Sequence, residues 1–391
     1  GEALSEDFVA YQSDLVGVPT ATQSMLDLRW FEAFDAALQE VTAAILDDFG
    51  TMAPIVGRLR DRLVSFGGSP DPAQDFYMVD LGQMLNRLSR RDEPVAEPAG
   101  RALALLDEMV VVNVRGEATR PARGLSVYFP PNESRDWAAS IYEFDGSPTW
   151  HDFLSGFFDG GRSIPIDLRP SLTAEASAAD SYFDEFGFTV TAEFDADTAQ
   201  GIVSAVMWSG VIEADGSTTF YDKSKGFETE VPGVYGGVYA LDRLVLTDGE
   251  DTAYGFTDIT FNDDLTLITI RLPLWYRPPI DPGNGVWGDP IDASLVATVD
   301  LETEDVTIGI FSVEGRTIGS LETEPTGLLF PKVAVRPAGM GVYDEVTWVP
   351  STDVGLWADL DALDIEWVLL PSGTPFRSEL VVSDYGGNEA I

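Results

Sequence analysis

Two hydrophobic periodicities follow one another along this chain, and they meet at Asp159-Gly160-Gly161-Arg162-Ser163-Ile164-Pro165. Before that run, apolar residues recur at helical spacing between short strand-like segments. After it, short β-rich segments follow one another, separated by turn residues. Such a chain is expected to build an α/β part and then an all-β part. The Gly/Pro-rich composition of 159–165 is that of a boundary. The expected domains are therefore 1–162 and 163–391, and 391 residues are enough for two cores.

In the first part, Leu4 to Gln12 reads as the end of a helix already under way, so that Gly1 is not expected to be a natural domain start. Ser24 is a plausible N-cap for a helix whose buried face is Phe31, Phe34, Leu38, Val41 and Ile45. Further helices are expected through Met84, Leu85 and Leu88, over Pro98 to Glu108, and from a cap at Asn132 or Ser134 towards Tyr142. Ser147 and Pro148 open a last helix with the apolar face Trp150, Phe153, Leu154, Phe157 and Phe158. Met109 to Val114 reads as a buried strand, and Leu125 to Phe129 as another that Pro130-Pro131 stops. Helices interspersed with strands predict an α/β sandwich.

The second part offers many short strands. Clear examples are Phe186 to Phe194, Ile202 to Glu213, Val234 to Leu246, Leu265 to Trp275 and Ala293 to Leu301. Asp215-Gly216, Asp248-Gly249 and Ser372-Gly373 are among the turns that separate them. This punctuation predicts a sandwich or barrel.

Charge narrows the function. The chain has a formal net charge of −43, with 40 of its 66 carboxylates after residue 162. Phosphate backbones are repelled by such a surface, so no nucleic-acid partner is expected. Only Lys223, Lys225 and Lys332 are lysines; the other 20 basic residues are arginines. Acid excess with so little lysine points to a saline or extracellular place of work, where salt screens the self-repulsion. No apolar run reaches the roughly 20 residues of a membrane span. Gly1 to Asp7 is acidic and polar, without a signal-peptide pattern.

There is no cysteine, and His151 is the only histidine. Disulfides, thiolate zinc sites and a cysteine nucleophile are excluded within these residues. A serine triad would need His151 as its base, and no G-x-S-x-G elbow occurs. No Walker-type phosphate loop is present. Carboxylates are so abundant that no glycosidase pair stands out.

Four segments nevertheless resemble, in order and spacing, the post-catalytic part of the clostripain-like cysteine peptidases. They are Ala21-Thr22-Gln23-Ser24-Met25-Leu26-Asp27-Leu28, Val79-Asp80-Leu81, Ala122 to Pro130, and Trp150-His151-Asp152-Phe153-Leu154. Arg123-Gly124-Leu125-Ser126-Val127-Tyr128-Phe129-Pro130 is the strongest element. The resemblance covers roughly the first 160 residues. It implies a partial caspase-like α/β sandwich whose catalytic His and Cys lie on earlier strands. His151 does not match that catalytic histidine. Members are commonly cleaved into two chains that stay associated, and often cut proteins after basic residues. The chain is thus expected to be the C-terminal chain of a secreted bacterial or archaeal cysteine endopeptidase, partnered by an N-terminal chain of the same precursor. The alternative is a non-catalytic cell-surface or assembly module that keeps the scaffold.

Two other features invite a binding reading. Asp281, Asp289 and Asp292 lie in the Gly/Pro-rich stretch 281–292, which also contains Asn284. Flexible oxygen-rich loops can wrap Ca²⁺, and an ordinary solvated loop is the competing reading. Asp195-Ala196-Asp197 is a weaker candidate of the same kind. Trp275, Tyr276 and Trp287 suit either a carbohydrate or peptide platform or the core of a β-sandwich.

Overall fold

The computed structural model describes residues 6–7, 22–66, 77–116, 119–130, 148–160, 180–184, 186–261, 266–303, 305–314, 317–342, 345–385 and 389–390. The expected boundary at 162/163 and the helix expected after Asn132 or Ser134 lie outside these residues, as does nearly all of Leu4 to Gln12.

Among the described residues the first part has five strands, β1 (Thr22–Leu26), β2 (Ser65–Phe66), β3 (Met78–Asp80), β4 (Val110–Arg115) and β5 (Ser126–Tyr128). Its helices are α1 (Phe31–Asp47), α2 (Phe49–Arg60), α3 (Leu81–Leu88), α4 (Ala96–Met109) and α5 (Pro148–Asp159). The strands form two small antiparallel sheets, β1–β4 and β2–β3–β5. Phe34, Leu38, Val41 and Ile45 of α1 are buried at the expected spacing, together with the whole apolar face of α5. Phe31, expected on that face, is exposed.

Ser24 does not cap a helix. It sits in β1 opposite Asn113 of β4, and Asp27 instead caps a 3-10 turn, its carboxylate accepting the Arg29 amide. A pairing partner some ninety residues away outcompetes the local preference of serine, which no local pattern can announce. β4 is not the buried strand its apolar run predicts, because Val111 is 57% exposed. Helix α2, with Pro54 inside it, adds to the expected elements.

In the second part the elements run β6 (Ser181–Asp184), β7 (Gly187–Glu193), α6 (Ala196–Gly201), β8 (Ile202–Ile212), β9 (Thr218–Lys225), β10 (Phe227–Glu228) and β11 (Val234–Tyr239). Next come β12 (Asp242–Thr247), β13 (Thr252–Gly255), β14 (Thr257–Phe261), β15 (Leu267–Arg277), β16 (Pro279–Asp281), β17 (Val286–Trp287) and β18 (Ile291–Asp300). The last are β19 (Val306–Glu314), β20 (Thr317–Ser320), β21 (Leu328–Arg336), β22 (Thr347–Pro350), β23 (Leu356–Trp357), β24 (Asp364–Leu369), β25 (Phe376–Asp384) and β26 (Glu389–Ala390). The run Val234 to Leu246 is two strands rather than one, broken where Leu241 takes a positive φ of 61°.

Among the described residues, strands outweigh helices, and one sheet of twelve strands follows the path β20-β19-β18-β15-β14-β9-β8-β25-β26, with β21 and its partners β22 and β23 off that path. Strands β14 and β21 share the space between β9 and β15. β14 pairs with Asp222 and Lys223 of β9, and β21 with Thr218 to Phe220 of the same strand. Two smaller sheets cover the large one. Leu244, Leu246 and Ala253 of the β13-β12-β24 sheet pack on Leu272, Leu274 and Leu295. Tyr235 and Tyr239 of the β10-β11-β7-β6 sheet pack on Met207, Leu380 and Val382. The β-rich part is a layered, largely antiparallel sandwich.

The two parts share a core. Tyr385, just after β25, packs edge-on against Phe49 with ring centroids 5.7 Å apart, and also meets Phe157. Gly57 of α2 lies so close to β8 that a Cβ there would stand 2.4 Å from Val203 Cγ1. Arg58 donates to the Ile202 carbonyl at 3.1 Å, and Lys225 to the Asp61 carbonyl at 2.7 Å. Tyr385→Ala is expected to cost about 3 kcal/mol. Urea unfolding followed by far-UV and near-UV signals measures that loss.

Inside the sandwich, burial pushes the Asp222 carboxyl up from the usual 3.8 to about 7, while the Thr257 hydroxyl donates to it at 3.2 Å. An acid whose folded pKa is raised favours the folded state when protonated. Its contribution is complete below the unfolded pKa and is lost as pH rises through the folded one. Asp222→Asn is expected to raise stability by roughly 2–4 kcal/mol at about pH 8, with little effect near about pH 4. Thermal melts across that window test the sign.

Candidate functional site

The residues that carry the peptidase resemblance converge at the junction of β3, α3 and the loop before β5. Asp80 ends β3 and caps α3, where one carboxylate oxygen accepts the Gln83 amide at 2.6 Å. The other oxygen accepts the Arg123 amide at 2.8 Å. One side chain thus begins a helix and anchors a loop over forty residues away. The carboxyl is 1% exposed. Burial pushes its pKa up, and the amides of Arg123, Gln83 and Gly124 oppose that rise.

Gly124 is required by geometry. Its φ is +96°, and a Cβ there would stand 2.9 Å from Val110 Cγ1 and 3.2 Å from Ser24 Cβ. Ser24 donates its hydroxyl to the Gly124 carbonyl at 2.6 Å. A few residues on, Phe129 stacks edge-to-face with Trp150, whose indole N–H donates to the Tyr128 carbonyl at 2.8 Å. Arg60 of α2 donates to the Phe129 carbonyl at 2.8 Å. The loop Ala122 to Pro130 is thereby tied to β1, β3, α2 and α5.

Beside this loop lies a cleft of about 730 Å³, within the range of small-ligand sites. Arg87, Arg90, Arg115, Arg120 and Arg123 line it, and among the described residues Asp107 is the only carboxylate in its wall. Arg123 reaches Asp107 at 3.0 Å, Arg90 reaches the Asn86 side chain, and Arg115 donates to the carbonyls of Arg120 and Ala122. Asn113, also in the wall, donates to the Ala122 carbonyl, while its buried Oδ1 has no hydrogen-bond partner among the described residues. Chemically, this arrangement suits an anion that also presents a hydrogen-bond donor. No sequence motif marks the cleft. A signal existed, because residues 87–123 carry seven arginines against six carboxylates in a chain of net charge −43.

The other expected sites are built differently. The stretch holding Asp281 and Asp289 is a small hairpin of β16 and β17 around a 3-10 turn, closed by Gly285 in the left-handed region. Asp281 accepts from the Asn284 side chain. Asp292, on β18, accepts from the Trp275 indole at 2.7 Å and from Lys332 at 2.5 Å. Among the described residues, no group of three or more acidic or histidine side chains could hold a metal ion. Asp195 caps the short helix α6, accepting the amides of Asp197 and Thr198. Tyr276 lies in the sandwich core and accepts the Glu324 amide. The Trp287 indole donates to the Thr326 carbonyl. Of the three aromatics only Tyr276 belongs to a buried core; Trp275 and Trp287 are half-buried. His151 sits on α5 with Nδ1 3.3 Å from Asp152. No helix among the described residues is long and apolar enough to cross a membrane.

Comparison with known family models, curated proteins and solved structures finds no match. Two substitutions probe the anchored loop. Gly124→Ala is expected to cost about 2 kcal/mol from backbone strain, with the Val110 clash adding to it. Asp80→Ala, which strands the amides of Gln83 and Arg123, is expected to cost about 3 kcal/mol. Denaturant midpoints measure both.

Proposed function

We propose that this chain is the non-catalytic C-terminal chain of a secreted clostripain-like cysteine endopeptidase from a saline habitat. The thiolate and the imidazole that activates it are supplied by a partner chain of the same precursor, since acyl transfer of this type needs both groups. Substrates are proteins cut after basic residues, which an acidic body attracts. In this reading residues 1–162 complete a caspase-like α/β sandwich, and the β-rich part serves as an accessory body.

One observation carries the reading. Of the segments that resemble the family's, Asp80 holds the Arg123 amide, and Val79, Leu81, Phe129 and Trp150 belong to one hydrophobic core. Supporting it, Met25, Leu28, Trp30 and Phe31 are exposed at the end of β1, with Leu28 70% exposed. A run of exposed large apolar side chains is expected to be covered by a partner.

Intact mass measurement with N-terminal sequencing, on denatured native material, is the direct test. A second chain carrying His and Cys is expected, along with peptide hydrolysis after basic residues that thiol alkylation abolishes. A single chain without a partner would leave the surface-module reading. Hydrolysis by this cysteine-free chain alone would overturn both.

A further inference from the structure

The outer edge of β4 borders a groove of about 370 Å³. Six consecutive residues, Val111 to Gly116, line it. Side chains of a strand alternate between faces, so a space touched by consecutive residues runs along the edge. Among the described residues β4 has a ladder partner on one side only, β1. In an antiparallel pair, alternate residues turn their N–H and C=O away from the partner, and here those groups face the groove.

Charge and an orphaned acceptor set the chemistry of an occupant. The groove shares Asn113, Arg115 and Arg120 with the arginine cleft, so the two form one continuous surface. Five arginines face it, against Asp107 in the cleft and Glu6 in the groove. The buried Asn113 Oδ1 calls for an N–H or O–H donor. Val111 offers an exposed apolar surface beside these cations. Elsewhere the acidic body repels carboxylates, which confines an acidic ligand to this surface. High salt weakens that distant repulsion more than the contact pairs.

We infer that this edge binds an extended acidic peptide by strand addition. The guest backbone pairs with Val111 to Arg115. Its carboxylates take Arg115 and Arg120, and reach Arg90 and Arg123 where the groove opens into the cleft. Its intervening side chains turn to the opposite face of the sheet, the side of Val112 and Val114. The binding does not depend on the peptidase reading, because every residue involved belongs to this chain.

The test is fluorescence anisotropy with a labelled peptide of alternating Glu and Val, titrated into the whole chain. Saturable binding is expected, together with slowed amide exchange at Val111 to Arg115. A Lys/Val peptide and a backbone N-methylated Glu/Val peptide should both fail to bind. The double variant Arg115→Gln, Arg120→Gln is expected to weaken binding roughly tenfold. Arg115 also ties carbonyls of its own loop, so Arg90→Glu is the second variant. Arg90 is exposed in the turn that follows α3, with the Asn86 side chain as a hydrogen-bond partner, and its loss should weaken binding without lowering the melting temperature. Absence of binding, equal binding of the N-methylated peptide, or equal affinity in both variants would overturn the inference.

Discussion

The edge-to-face packing of Tyr385 against Phe49 and Phe157 is the contact on which the rest of the architecture depends. Phe157 in turn meets Phe129, and Phe129 meets Trp150 and Phe153. One aromatic chain therefore runs from the last long strand of the sandwich, through α2 and α5, to the loop anchored by Asp80. Aromatic pairs bury large areas and add directional preference, so the cluster fixes orientation as well as contact. The packing of Gly57 on Val203 and the Arg58–Ile202 hydrogen bond flank it. The helical part and the β-rich part are consequently not two beads on a linker.

The few cations are placed with matching economy. Lys225 ties α2 to the sandwich through the Asp61 carbonyl. Lys332 is 4% exposed, lies over the Trp275 ring and meets Asp292. Arg336 and Glu379 form a buried ion pair that Arg377 joins at 2.7 Å. Removing one partner of such a pair leaves an uncompensated buried charge, which is strongly destabilising. Against this background five arginines around one cleft stand out, because a uniformly acidic surface has no solubility reason to gather them there.

Much of the local structure was legible. The faces of α1 and α5, the helix after Asp80 and most of the long strands followed from spacing, since burial of one face imposes a period on the residues that form it. The turns at Asp215-Gly216, Asp248-Gly249 and Ser372-Gly373 were legible because their glycines adopt positive φ there. The misreadings share a cause. Local composition alone makes Ser24 resemble a cap and Met109 to Val114 a buried strand. Their states are set by pairing between β1 and β4. Asp281, Asp289 and Asp292 looked alike in sequence, but Asp292 stands on a strand beside Lys332, while Asp281 belongs to a separate hairpin.

By itself, the sequence determined the order of a mixed part and a β-rich part, the acidic surface, the periodic core faces and the absence of any thiol. These are properties of composition and short-range period, which need no partner to be expressed. Only the tertiary structure decided that Asp80 anchors Arg123, that Tyr385 closes the core of the first part, and that five arginines surround one cleft. Each of those outcomes joins residues far apart in the chain. Their free energy appears only once long loops have closed, so local composition, such as the arginine excess over residues 87–123, marks a segment without placing its contacts.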